Sequence, residues 1–253
     1  MPAERFYIQD PSFTLKKLII LEKEEFHHLM NVMRLKVGER VELINGTGAL
    51  AEAAIESINK KNAILSIESI HIEPVSSYQL ILAQALPRLP RLEYILEKSV
   101  ELGVTDLWLF PGTFSEKKDL SPSQLERIHH IIVSAMKQCG RLYIPKVSFR
   151  PSLLSWTLKE IPSHAFFGDT RPNAPTFLQE LLSLDSQSLF IVIGPEKGFQ
   201  EKEVFFMEKN LHLKGVKLHE NILRTETAAI HALSLASSFK EILQQRKPEA
   251  RYS

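Results

Sequence analysis

Two short stretches in the last quarter of the chain hold the residue types that could do chemistry. One is Gly194-Pro195-Glu196-Lys197-Gly198-Phe199; the other is Ile222-Leu223-Arg224-Thr225-Glu226-Thr227. Gly194 and Gly198 lack a Cβ, so backbone there can approach a ligand closely. Thr225 reads as a helix N-cap, with the alanine-rich run from Ala228 as the helix it starts. A helix start already presents the positive end of the macrodipole, so structure alone gives no reason for a cation at Arg224. Its presence calls for an anionic partner, and the rigid fork of a guanidinium suits a planar one. The plain alternative is a structural salt bridge to Glu226 or Glu196. Glu226 itself sits where an acid favours the helix dipole. Neither stretch is a G-x-G-x-x-G or P-loop pattern, so a dinucleotide or triphosphate site is not supported.

These stretches need strands to deliver them. Leu189 to Ile193 is a short apolar run stopped by Gly194-Pro195, the pattern of a buried parallel strand entering a tight turn. Val216 to Leu218 reads as a second short strand, with Glu220-Asn221 as its turn. In open α/β sheets ligands settle at such carboxyl ends, although two ordinary βα turns would look the same. Upstream, Tyr78–Leu86, Asp106–Phe110, Lys146–Phe149 and Ala165–Gly168 also read as strands. They alternate with helices: one through Leu92, Ile95, Leu96 and Val100 to Gly103, and one from Ser121-Pro122 toward Gly140. Others are expected near Leu153–Leu158 and Phe177–Leu184, with a last one from about Thr227 to about Gln245, amphipathic through Ile230, Leu233, Leu235 and Phe239. Strand–helix alternation argues α/β with a mostly parallel sheet.

The first part reads differently. Short β segments at Arg5–Ile8, Lys17–Leu21, Arg40–Asn45, Ala49–Ser57 and Ala63–Ile72 suggest a small barrel. Between them Glu24–Met33 has helical spacing, closed by the stretch to Gly38. Glu73-Pro74-Val75-Ser76-Ser77 looks like a linker. The whole chain is 253 residues with 44% hydrophobic and 24% charged residues, which fits a soluble protein with a sizeable core. No apolar stretch is long enough to span a bilayer, and the N-terminus lacks a signal-peptide pattern. The lone Cys139 excludes an intrachain disulfide and fits the reducing cytoplasm. A net charge of +1 means that any nucleic-acid surface must be a local patch.

IGPEKGF followed by ILRTETA resembles the paired C-terminal signature of the 16S ribosomal RNA uridine-N3 methyltransferases, members of the SPOUT superfamily. Three upstream stretches extend the likeness: HHLMNVMRLKVGE, EYILEKSVELGV and Gln138-Cys139-Gly140-Arg141. The resemblance implies a PUA-like β-barrel over 1–74 and a trefoil-knotted α/β methyltransferase domain over 75–253. It implies bound S-adenosylmethionine, small-subunit ribosomal RNA or the assembled 30S subunit as partner, a homodimer, and no metal. The cofactor positions it implies are Phe167, Gly168, Ile193, Gly194, Pro195 and Glu196, with Gly198, Leu218, Ile222, Leu223 and Thr225. Those for RNA are Arg5, His28, Arg34, Arg88 and Arg91. The catalytic set is Arg224, Glu226, Gln138 and Arg141. A C-terminal arginine complementing a helix dipole would also account for Arg141, though not for the tetrapeptide.

Uridine N3 must lose its proton to attack well. Arg224 is the candidate for holding the uracil or a phosphate, and Glu226 for accepting the proton, directly or through water. The chain departs from the family pattern at Lys197, which stands for Gly. Glu116-Lys117 stands for Arg-Ser, and Leu218-His219-Glu220-Asn221 for Leu-Gly-Pro-Arg. Two RNA-facing charges are thereby lost, so RNA binding is expected to be weaker or differently aimed. A methyltransferase for another RNA, a non-catalytic RNA-binding relative and an unrelated small-molecule α/β enzyme remain the alternatives.

Overall fold

The computed structural model describes residues 4–10 and 12–246. It divides into two compact units. The first takes in the chain up to Val75 together with Val133–Ile144; the second takes in Ser76–Ile132 and the chain from Pro145 on. No helix among the described residues is long and apolar enough to cross a membrane.

The first unit is a curled five-stranded sheet. Its strands are β1 (Arg5–Tyr7), β2 (Leu18–Glu22), β3 (Arg40–Ile44), β4 (Ala49–Ile58) and β5 (Asn62–Ile72), in the order β1-β3-β4-β5-β2. Period-2 alternation turns Ala51, Ala53 and Ile55 inward while Glu52 and Glu56 face out. Two register shifts against β5, at Glu52/Ala53 and Ile55/Ser57, bend the long β4. The sheet thus closes on its own apolar face, around Phe6, Leu21, Leu43, Leu65 and Ile67. The expected helix of this unit is split. α1 (Lys23–His27) passes straight into a π-helical turn, His28–Met33, which drops Leu29 into the core. It ends at Arg34, whose left-handed φ of 57° reverses the chain, and not at Gly38. The segment from Val133 is tied into this unit. Gly48 N–H donates to Leu142 O at 3.0 Å, Ile144 N–H to Gly46 O at 2.9 Å, and the Tyr143 hydroxyl to Glu73 O at 2.7 Å.

The second unit is a six-stranded parallel sheet of β6 (Gln79–Ala85), β7 (Asp106–Phe110), β8 (Lys146–Phe149), β9 (Ala165–Gly168), β10 (Ser188–Ile193) and β11 (Lys214–Val216). The order is β11-β9-β10-β6-β7-β8. β6 and β10 lie side by side at its centre and are buried almost throughout, which is why they read as continuous apolar runs. From β6 the chain steps outward to β7 and β8. It then crosses to β9, returns inward to β10 and leaves again to β11. The neighbours β6 and β10 therefore send their next strands to opposite sides, the topological switch that opens a crevice at the carboxyl ends.

Helices α2 (Leu89–Glu101), α3 (Pro122–Cys139), α4 (Phe177–Leu182), α5 (Glu201–Lys209) and α6 (Thr225–Arg246) complete the order. α6 packs on β6, β10, α2 and α4. Its buried stripe is Ala229, Ala232, Leu233, Ala236, Phe239 and Leu243. Ile230 and Leu235, expected on that stripe, are only half-buried, because alanines make the close face. Two other expectations are corrected. Leu153–Leu158 is not one helix but two 3₁₀ turns, Leu153–Ser155 and Leu158–Glu160, the second opened by a Thr157–Glu160 capping box. The last strand is Lys214–Val216, paired to β9, which leaves Leu218 in the following loop.

Candidate active site

The carboxyl ends of β9, β10 and β11 surround a cleft of about 1010 Å³. Its walls come from three strand-end segments, Phe167 to Pro172 at β9, Ile193 to Phe199 at β10 and Lys217 to Leu223 after β11, with Glu201, Val204, Phe205 and Glu208 from α5 and Thr225 and Ala228 from α6. All eleven expected cofactor positions line this one cleft: Phe167, Gly168, Ile193, Gly194, Pro195, Glu196, Gly198, Leu218, Ile222, Leu223 and Thr225. Ile222 stands at the rim, 85% exposed. His219, one of the departures from the family pattern, also lines it, as does Asp169, which the sequence reading does not single out. The signal for Asp169 was its place directly after a strand that ends at Gly168.

The two signature loops are joined by one hydroxyl. Thr225 Oγ1 donates to the Gly194 carbonyl at 2.6 Å and accepts from Gln84 Nε2 at 3.0 Å. Gln84 is fully buried at the end of β6 and also donates to its neighbour's Ala85 carbonyl at 2.9 Å. Thr225 is therefore not the N-cap that the sequence suggests. It is the first helical residue, and the Arg224 carbonyl before it accepts the first helical bond, from Ala228 N–H at 2.8 Å. The glycines also earn separate explanations. Gly198 adopts φ +73° in open space, so its backbone angle requires glycine. A Cβ on Gly194 would come within 3.2 Å of the Phe199 ring, so there it is side-chain space that requires it. On the third loop, His231 of α6 donates through Nε2 to the Leu218 carbonyl at 3.0 Å, and Asn221 N–H donates to His219 Nδ1 at 3.1 Å.

Arg224 is exposed beside the cleft. The two acids that could have paired with it, Glu196 and Glu226, both face Arg91, at 3.1 and 3.6 Å. Arg88 makes a two-pronged pair with Glu116, at 2.9 and 2.7 Å. That contact holds the Glu116 carboxyl below, and the Arg88 guanidinium above, their usual ranges. Gln138 and Arg141 belong to the first unit, in the segment from Val133 to Ile144. Gln138 is exposed there, while burial lowers the Arg141 guanidinium below the arginine range. Of the expected RNA contacts in that unit, Arg5 is largely buried and paired with Glu42, its register partner on β3. The His28 ring lies edge-on to Phe6 at 5.7 Å, and Arg34 is exposed.

A parallel sheet with a loop-walled cleft at its carboxyl edge, together with a curled five-stranded sheet, is the arrangement that the family models assign to an RNA methyltransferase domain with a PUA domain. The family model described as RNA methyltransferase domain matches residues 74–237, and that described as RNA methyltransferase PUA domain matches 21–68. The ribosomal RNA small subunit methyltransferase E of Bacillus subtilis (strain 168) is 30% identical over 233 residues, covering 87% of this chain and 90% of that one. The chain belongs to the ribosomal RNA small subunit methyltransferase E family. Two solved structures agree in fold. The Neisseria gonorrhoeae methyltransferase E, bound to S-adenosyl methionine, superposes with a TM-score of 0.81 at 25% identity, covering 94% of this chain and 98% of that one. A Legionella pneumophila methyltransferase in complex with SAM gives 0.84 at 26% identity, covering 97% and 98%.

Proposed function

We propose that this chain transfers a methyl group from S-adenosylmethionine to N3 of a uridine in small-subunit ribosomal RNA, in the cytoplasm and as a homodimer. The observation that carries the reading is the convergence of both signature loops on one cleft, coupled through Thr225. Volume and lining suit the cofactor. Phe167, Ile193, Leu218 and Leu223 supply apolar walls, and strand-end backbone supplies polar anchors. S-adenosylmethionine, when bound, supplies an already activated methyl electrophile, so the chemistry calls for no metal.

The chain's own work is to orient and to move a proton. Arg224, exposed at the head of α6, holds the uracil or a phosphate and stabilises the anion that develops as N3–H ionises. Glu226, the second residue of the same helix, accepts that proton directly or through water. Gln138 and Arg141 are assigned to the same reaction on the family resemblance. The barrel domain, 1–74, contacts RNA through His28 and Arg34, and 75–253 is the knotted catalytic domain. The test is incubation of the purified chain with labelled S-adenosylmethionine and unmodified small-subunit RNA or 30S subunits. Label is expected in RNA; retained RNA binding with no transfer would favour a non-catalytic relative.

A further inference from the structure

The family resemblance places Arg91 among the RNA contacts, yet its side chain is turned among acids. Its Nη1 lies 3.1 Å from Glu196 Oε1 and its Nε 3.6 Å from Glu226 Oε2. The three side chains are 31%, 21% and 16% exposed, so the cluster is shielded more than an open surface pair, where little would be lost. Glu196 stands on the loop after β10 and lines the cleft; Glu226 follows Thr225, which lines it too. Glu196 Oε1 also accepts the Arg88 backbone N–H at 3.1 Å. Glu226 Oε2 is buried with no hydrogen-bond partner, so Arg91 is the compensating charge beside it. A carboxylate left there without that cation would be buried and unpaired.

We propose that Arg91 is a positioning residue for methyl transfer and not a phosphate contact. Its guanidinium ties the loop bearing Glu196 to the first turn of α6 bearing Glu226, and so fixes two walls of the cleft. The proposal rests on the methyl-transfer reading above. A lysine, with one point charge, cannot reach both carboxylates from separate nitrogens.

The experiment uses the full chain with Arg91→Ala, Arg91→Lys, Glu196→Gln and the double variant Arg91→Ala/Glu196→Gln. Calorimetry reads S-adenosylmethionine affinity, a salt series reads binding to small-subunit RNA, and single-turnover methylation and melting curves run beside them. Arg91→Ala is expected to weaken cofactor binding about tenfold, the scale of coupling between contacting residues. It should slow transfer at saturating cofactor and leave the RNA salt slope unchanged. Arg91→Lys should recover only part of the loss, and Glu196→Gln should add little once Arg91 is gone. Cofactor affinity within about twofold of the parent, with the salt slope reduced by about one, overturns the proposal and returns Arg91 to the RNA. A lower melting temperature with both affinities and the rate unchanged also overturns it. If Arg91→Ala does not fold, Arg91→Lys and Glu196→Gln decide by the same readings. A parent chain that binds cofactor but methylates nothing would contradict the proposed reaction while leaving the affinity test of Arg91 intact.

Discussion

Arg224 is the residue on which mechanism and mere structure part most clearly. It is exposed at the head of α6, and the two acids that the sequence offers as its salt-bridge partners, Glu196 and Glu226, face Arg91 instead. Arg224→Lys is therefore expected to keep the fold and most cofactor affinity while losing roughly a hundredfold or more in transfer, the scale of removing one transition-state donor. Single-turnover methylation beside a melting curve checks it; near-normal turnover would remove Arg224 from the catalytic set. Gly194→Val is expected to lower cofactor affinity by more than about tenfold with the barrel still folded. The branched side chain must displace the Phe199 ring that already meets a Cβ at 3.2 Å, and Phe199 lines the cleft. Titration of the folded variant with cofactor reads this; unchanged affinity would mean that the ring yields without moving the wall. Gly194 and Gly198 were legible because turn chemistry is local; the place of Thr225 inside the helix, bonded to the Gly194 carbonyl, was not, because its partner lies on another loop. The Arg91–Glu226 pairing was not, because 135 positions of sequence separate partners that only the sheet order brings together.

At the scale of elements, the loops are held by buried polar side chains that the sequence did not advertise. Glu203, in the first turn of α5, is wholly buried. Its carboxylate accepts Thr113 N–H at 3.0 Å, after β7, and Gln200 N–H at 2.9 Å, after β10. One side chain thus joins two strand-end loops. Glu203→Ala leaves both donors without it, at a cost of about 2 kcal/mol or more. The expected drop in melting temperature is roughly 4–8 °C for a chain of this size. Glu203→Gln, which can still accept one bond, should lose less. Equal melting for all three would show that water replaces the carboxylate. The strands and long helices were legible from periodicity, as with α2 and its buried Leu92, Ile95, Leu96 and Val100. The π-turn at His28–Met33 was not, since hydrogen-bond slippage within a helix leaves the apolar spacing nearly unchanged; nor were the two 3₁₀ turns, which extended backbone at Trp156 and Thr157 breaks apart where the spacing alone suggests one helix. The alanine face of α6 was missed because a small residue marks close packing only once the facing surface is known.

For the whole molecule, α/β class and a barrel ahead of it were legible from alternation, and the family from two long signatures. The strand order was not, since nothing local says that β10 inserts between β6 and β9. Nor was the membership of Val133–Ile144 in the first unit, which depends on backbone bonds to Gly46 and Gly48 far back in the chain. The residues that line the cleft all belong to the second unit, and no cluster of three or more metal-ligating side chains occurs among the described residues. Calorimetry in the presence of a chelator should therefore show S-adenosylmethionine binding at full affinity; binding that needs added metal would contradict the site as described. The central claim, methyl transfer to N3 of a uridine, is tested most directly by mass-spectrometric nucleoside mapping of small-subunit ribosomal RNA made with and without this protein. The account predicts N3-methyluridine at a single position that appears only with the protein present. An unchanged map, or a methyl group on another atom or base, would contradict it.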